Sequence, residues 1–523
     1  MYTNQNLYIA HCADGPINLI GKMANRHGLI AGATGTGKTV SLQVVAETFS
    51  QAGVPCFAAD MKGDLSGISQ TGKMSGFIEK RCAEFAIENP TFHGCPTRFY
   101  DVYGEQGIPM RTTISAMGPQ LLGRLFELNE TQTGVLNIIF KIADDNELLL
   151  IDLKDLRTII EFVGQNTSKF TTSYGNISSA SLGAISRAIL AIESEGGDKF
   201  FGEPAFDIED LIDTEKGLGV VNVLAADKLM MHPKLYSTFL LWMMTELYSR
   251  LPEVGDMELP KLVFFFDEAH MLFEGTSKAL VEKMEQIIRL IRSKGVGIYF
   301  ITQSPSDIPD DILGQLGNRI QHALRAFTPK DQKAVKAAAQ TFRANPSFDT
   351  TEAITNLGTG EALVSFLDNT GSPSIVQKAK ILFPLSQIGA VTPEQRAQIR
   401  AAVPLKIKEY EKFFDRESAY EVIIAAQEEA AREAEKQREL EEKEKEKAKK
   451  EKEKAKASKS SSSSFKRTVF GTLITSAGTS FARSLGNSVA KSITGKSTTK
   501  KSSSKKSSSG GGLLGSILKN IFK

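Results

Sequence analysis

The chain has 523 residues, 41% of them hydrophobic and 24% charged, with a formal net charge of +2. That balance is globular, and with no run of about 18 apolar residues it excludes a membrane-embedded protein. It also excludes a uniformly basic chain, because dense charge is concentrated in about the last hundred residues, so the tail says more about partners than the total does. The length allows about three units of ~150 residues. The start, Met-Tyr-Thr-Asn-Gln, lacks a basic segment followed by an apolar one. Cys12, Cys56, Cys82 and Cys95 are scattered with no Cys-x-x-Cys pair, so reduced structural thiols in a cytoplasmic protein are expected.

Residues 1–27 read as a short, strand-rich lead-in. A brief apolar run (Leu29, Ile30, Ala31) then enters Gly32-Ala33-Thr34-Gly35-Thr36-Gly37-Lys38-Thr39, which fits the phosphate-loop pattern Gly-x4-Gly-Lys-Ser/Thr. Helical spacing follows (Val40, Leu42, Val44, Val45, Phe49), completing the strand–loop–helix context the motif needs. Gly35 and Gly37 let the backbone curl so that its N–H groups face phosphate oxygens. The helix N-terminus adds partial positive charge at the same spot. Lys38 is placed to reach the terminal phosphates and Thr39 to hold Mg²⁺, so ATP and Mg²⁺ are the expected cofactors.

A second strand is predicted at Val54 to Asp60, running into polar Lys62-Gly63-Asp64 on the ligand side of an open α/β sheet. Residues 110–255 read as a mainly helical insertion, interrupted by a strand pattern at Gly219 to Leu224. The core resumes with Lys261-Leu-Val-Phe-Phe-Phe-Asp267-Glu268, whose apolar run suits a fully buried parallel strand. Asp267 at its end can hold the metal, and Glu268 can polarise the attacking water as general base. A further buried strand, Val296 to Thr302, ends at Gln303, a candidate sensor of the terminal phosphate. Arg319 and Arg325 flank the next strand, Arg319 to Phe327. Either could stabilise the transition state from a neighbouring subunit or be an ordinary surface residue. A last strand is predicted near Glu361 to Leu367. The division expected is 1–109 and 256–420 for the two parts of an α/β ATPase core with a mostly parallel sheet, 110–255 for the insertion, and 421–523 for the tail.

Asp267-Glu268-Ala269-His270 spells a DEAH box, but the Ser-Ala-Thr and Gln-x-x-Gly-Arg-x-Gly-Arg motifs of those RNA helicases are absent from the sequence. His270 reads as a local hydrogen-bonding residue. Residues 427–456 are almost entirely Glu, Lys, Arg, Gln and Ala, the composition of a solvated single helix or a disordered linker. Ser-rich stretches follow at 460–464 and 502–509. Mixed apolar spacing lies between them, and a small cationic amphipathic segment closes the chain. Such a tail can bind an anionic membrane surface, nucleic acid or a protein partner, since these attractions are mostly electrostatic.

With the phosphate loop, Asp267-Glu268 and Gln303 in hand, the chain resembles the HerA/FtsK superfamily of P-loop ATPases. The phrases Asn25-Arg-His-Gly-Leu-Ile-Ala-Gly, Phe265-Phe-Asp-Glu-Ala-His, Arg292-Ser-Lys-Gly-Val-Gly, Tyr174-Gly-Asn-Ile-Ser-Ser-Ala, Gly317-Asn-Arg and Phe327-Thr-Pro-Lys-Asp-Gln look most like the YjgR-like group of bacterial HerA-type proteins. The resemblance covers roughly residues 1–420. It implies a RecA-like core, ATP hydrolysis, a hexameric ring and a DNA-pumping or helicase role. A membrane-associated motor, or a nucleotide-switched scaffold acting on a protein, is the other reading the tail motivates.

Overall fold

The computed structural model describes residues 1–460, apart from Asn4, Asp256 and 274–277. It divides into one compact unit, Met1–Glu421, and a second beginning at Val422. The strands in chain order are β1 (Tyr2–Thr3), β2 (Asn6–Cys12), β3 (Gly15–Leu19), β4 (Gly28–Ala31), β5 (Cys56–Asp60), β6 (Thr97–Asp101), β7 (Ile108–Pro109), β8 (Thr214–Glu215), β9 (Leu218–Gly219), β10 (Val221–Ala225), β11 (Leu262–Phe266), β12 (Val296–Thr302), β13 (Asn318–Gln321), β14 (Glu361–Ser365) and β15 (Gln377–Ile381).

Among the described residues, thirteen of these form one sheet in the order β1-β2-β15-β14-β13-β4-β12-β11-β5-β10-β6-β7, with β3 also on β2. The run from β13 to β7 is parallel; β14, β15, β2, β3 and β1 add an antiparallel flank. This is the expected α/β core with a mostly parallel sheet. Its central strands are uninterrupted apolar sequence because both faces are covered, and every residue of β4, β5, β11 and β12 is buried. Register places Ile30 of β4 between Ile301 of β12 and Ile320 of β13, and Phe264 of β11 opposite Ile298 and Phe57.

Helix α1 (Lys38–Gln51) follows β4 directly and is buried along most of its length. Helices Ile114–Leu125, Glu130–Asp145, Leu153–Gln165, Thr167–Tyr174 and Ser179–Ser194 fill much of the segment expected to be mainly helical. That segment also carries β10, which is no interruption of a separate layer but a core strand paired with β5 and β6 on either side. The predicted strand from Arg319 to Phe327 is shorter, Asn318–Gln321. After His322 donates its N–H to Ala31 and Ala323 accepts from Ala33, the chain leaves the sheet, and Leu324 bonds to Ile354 instead.

In the second unit the charged sequence continues the helix Ala419–Ser460, laced by pairs four residues apart such as Arg432–Glu428, Lys443–Glu439 and Lys450–Glu446. From 461 on, the Ser-rich stretches, the apolar spacing between them and the terminal amphipathic segment fall outside the described residues, as do the membrane and protein contacts expected of them. Among the described residues no helix is long and apolar enough to cross a membrane.

Candidate nucleotide-binding site

The phosphate loop begins where β4 ends. Gly32 donates its N–H to Thr302 and Ala33 to Ala323, so strands on both sides of β4 hold the loop's entry. Gly35 and Gly37 take φ of 78° and 111°, backbone that a side chain would strain. Thr36 closes the turn, its N–H and its hydroxyl both donating to Ala33 O. The N–H groups of Gly35, Gly37, Lys38 and Thr39 donate to no acceptor among the described residues, at a helix N-terminus where such groups favour an anion. A Cβ added at Gly35 would meet nothing within 4 Å, so the loop's crest is open. The cradle therefore fits a polyphosphate.

Lys38 is buried, and its Nζ donates to Gly32 O at 2.6 Å and Ala33 O at 3.2 Å. Burial pushes its ammonium pKa down; the charges of Glu268 and Asp267 oppose that and Lys62 reinforces it. Those interactions bring the residues predicted from distant parts of the sequence to one place. Asp267 and Glu268 follow β11, both buried. Asp267 Oδ1 accepts the N–H of Glu268 at 2.9 Å, and burial with the adjoining Glu268 charge lifts the Asp267 carboxyl to about 6. Glu268 adopts φ of 46°, a left-handed conformation costly for a side-chain-bearing residue and typical of functional strain.

The Glu268 carboxylate is held from two sides. Oε1 accepts from Lys62 Nζ at 2.7 Å, and Oε2 from Gln303 Nε2 at 3.3 Å. Burial raises its pKa, but the Lys62 bond and charge, with help from Gln303 and His270, bring it below the usual carboxylate range. His270 Nδ1 approaches Oε2 at 3.5 Å. Gln303 is presented by a turn after β12, in which Asp307 Oδ2 accepts from the Thr302 hydroxyl and the Ser304 N–H.

Thr39 at the head of α1 and Asp267 after β11 are the two oxygen donors assigned to a cation. Among the described residues no group of three His, Cys, Asp or Glu side chains is arranged to hold a metal. A cation sharing its shell with substrate phosphates needs no such cage, which suits Mg²⁺.

The two arginines differ. Arg319 donates Nε to Leu316 O, Nη1 to Thr341 O and Nη2 to Leu313 O, each at 2.9 Å, and burial lowers its pKa. Its guanidinium is thus committed to carbonyls of its own chain. Arg325 is exposed and has no hydrogen-bond or ion-pair partner among the described residues.

Sequence reasoning missed His322. Buried beside the loop, it accepts or donates at Ser41 Oγ (2.7 Å from Nε2) and bonds Glu361 O (2.8 Å from Nδ1). The carbonyl can only accept, so Nδ1 carries the proton and Nε2 accepts from Ser41. Burial pushes its pKa down to about 4, keeping the ring neutral. Nothing in a lone histidine after a short strand signals this. Asp60, at the end of β5, was seen only as a strand terminus; its Oδ1 accepts the N–H groups of Lys62 and Gly63, fixing the loop that carries Lys62.

Comparison with known proteins adds kinship. The family model described as Helicase HerA-like C-terminal matches residues 5–501. A curated relative, the DNA double-strand break repair helicase HerA of Pyrococcus furiosus, is 34% identical over 122 residues, 23% of this chain and 20% of that protein. The HerA helicase of Sulfurisphaera tokodaii is 34% identical over 109 residues, 21% of each. The matched stretch thus spans about a fifth of these relatives' length. Among solved structures, the bacterial conjugative coupling protein TrwBdeltaN70 aligns over 75% of this chain and 92% of its own, at 15% identity and a TM-score of 0.49. VirB4 of Thermoanaerobacter pseudethanolicus aligns over 74% and 97%, at 13% identity and 0.44.

Proposed function

The chain belongs to the Helicase HerA-like C-terminal family, and from that premise we propose that it is an ATP-hydrolysing motor, assembling as a homo-oligomeric ring that moves DNA. The single observation that carries the hydrolytic reading is that Asp267 and Glu268, just after β11, lie near enough to the buried Lys38 of the phosphate loop for their charges to act on it. The DNA and ring readings rest on the family and on relatives whose names record a DNA repair helicase.

The backbone N–H groups of Gly35 to Thr39 bind the β- and γ-phosphates, and Lys38 exchanges its loop carbonyls for phosphate oxygens. Thr39 and Asp267 are the residues that would hold Mg²⁺, which would supply positive charge to offset that of the phosphates. Glu268 orients a water in line with the γ-phosphorus and takes its proton; the new P–O bond forms as the bond to the ADP oxygen breaks. Gln303 reports on the γ-phosphate in this reading, which its bond to Glu268 and its exposure support. Arg325, exposed and unpartnered among the described residues, is the arginine we assign to a neighbouring subunit's site.

The test is the ATP turnover of the full chain with and without double-stranded DNA, single-stranded DNA or anionic vesicles, with Glu268→Gln as control. Stimulation by DNA and loss of turnover in the variant are expected. Turnover indifferent to either DNA would remove the DNA reading, and undiminished turnover in Glu268→Gln would remove the assignment of the base.

A further inference from the structure

We infer that Lys62 is a positioning residue that holds the Glu268 carboxylate back from the attacking water and so restrains basal hydrolysis. The inference rests on the reading of Glu268 as general base and adds how that group is regulated. The strand order β4-β12-β11-β5 puts the end of β5, and Lys62 just beyond it, on the far side of β11 from the phosphate-loop strand. The tightest bond to the Glu268 side chain, 2.7 Å from Lys62 Nζ to Oε1, thus comes from a residue on the β5 side of β11, opposite the phosphate-loop strand. The opposing bond, from Gln303 on the β12 side, is longer at 3.3 Å. A carboxylate has about four lone-pair sites, so the ammonium does not block the group outright; it fixes the orientation of the carboxylate and competes with a water for Oε1. To give Oε1 to a water, Glu268 must loosen its hold on Lys62.

The pair is built so that the lysine is the partner that can move. The Glu268 side chain is 8% exposed and that of Lys62 49%. Apart from its bond to Glu268, Lys62 is held among the described residues through its backbone N–H, which donates to Asp60. Its other flank opens on a cleft of about 460 Å³ that Gln106, Asp227, Arg396 and Arg400 also line, so the side chain has room to swing out. A lysine serving only to neutralise a buried acid would not need that room.

The experiment is steady-state ATP turnover of the full chain and of Lys62→Met, Lys62→Arg, Glu268→Gln and the Lys62→Met/Glu268→Gln double variant. Breaking one partly solvated, charge-assisted bond should raise kcat of Lys62→Met about three- to ten-fold, with KM for ATP changed less than about two-fold. Lys62→Arg should keep the restrained rate, and the double variant should be as slow as Glu268→Gln. A lower or unchanged kcat in Lys62→Met, with KM retained and Glu268→Gln inactive, overturns the inference while the base assignment stands. Full turnover in Glu268→Gln overturns the base assignment itself. Lost activity in Lys62→Met that Lys62→Arg restores would make the lysine a promoter of catalysis and equally overturn the restraint.

Discussion

Ser41 Oγ and His322 Nε2 lie 2.7 Å apart, joining the first turn of α1 to the chain that leaves β13. The bond crosses 281 residues of sequence. It makes the phosphate loop's geometry depend on a histidine outside every motif. His322→Ala should remove the ring, orphan Ser41 and Glu361 O, and lower stability by about 2–4 kcal/mol. Nucleotide affinity should fall with it, about ten-fold, measured by titration calorimetry; an affinity equal to the parent's would show that the loop holds its shape alone. Because the ring is neutral down to about pH 4, the bond should persist unchanged from pH 5 to pH 8.

Gly32 gives a sharper test of the same contact. A Cβ there would stand 2.5 Å from His322 Cβ and 2.9 Å from Thr36 Oγ1. Neither neighbour is a flexible chain end, so Gly32→Ala should cost about 1–3 kcal/mol and abolish tight nucleotide binding. A melting temperature and a nucleotide Kd both equal to the parent's would contradict this close packing.

Arg319 and Arg325 should separate cleanly. Arg319→Ala removes three bonds to carbonyls and should lower stability by about 2–4 kcal/mol in a denaturant titration. Arg325→Ala should leave stability within about 0.5 kcal/mol, since the side chain is exposed and unpartnered among the described residues. Its effect should appear in turnover, and only at concentrations where subunits associate. An Arg325→Ala protein with full turnover in the assembled state would remove it from the site.

Glu47 of α1 makes a prediction for pH. Both its oxygens accept the Leu385 N–H, at 2.9 and 3.0 Å, and burial raises its pKa to about 7, against the pull of those bonds. A carboxyl that holds its proton more tightly when folded lowers stability as pH rises from its unfolded value, about 4.5, to about 7, and no further above that. Glu47→Gln should therefore gain on the parent across that window, by up to about 3 kcal/mol, as followed by chemical denaturation. A difference that does not vary with pH would mean the carboxylate is ionised throughout.

Much of the core was legible because its signals are local. Val296–Thr302 is a strand with the expected ends, since a continuous apolar run bounded by polar residues has one stable use inside a covered sheet. The loop Gly32–Thr39 and the pair Asp267–Glu268 are contiguous patterns whose chemistry is written in residue order. β6 was not anticipated: Thr97-Arg-Phe-Tyr-Asp101 is neither a continuous apolar run nor a polar–apolar alternation, and Arg98 is buried there with Asp213 and Glu215 from elsewhere in the chain to meet it. β10 lay inside a helical stretch, and nothing local says that its neighbours are β5 and β6.

By itself the sequence determined which groups exist to grip a triphosphate, and in what order strand, turn and helix present them, because hydrophobic period and glycine placement act over a few residues. Only the tertiary structure decided that Lys62 reaches Glu268 across 206 residues and that His322 buttresses the loop. It also decided that Arg319 is spent on its own chain while Arg325 has no partner among the described residues. Those outcomes depend on strand order in the sheet, and pairing between distant strands is set by the burial of the whole core, which no short stretch of residues encodes.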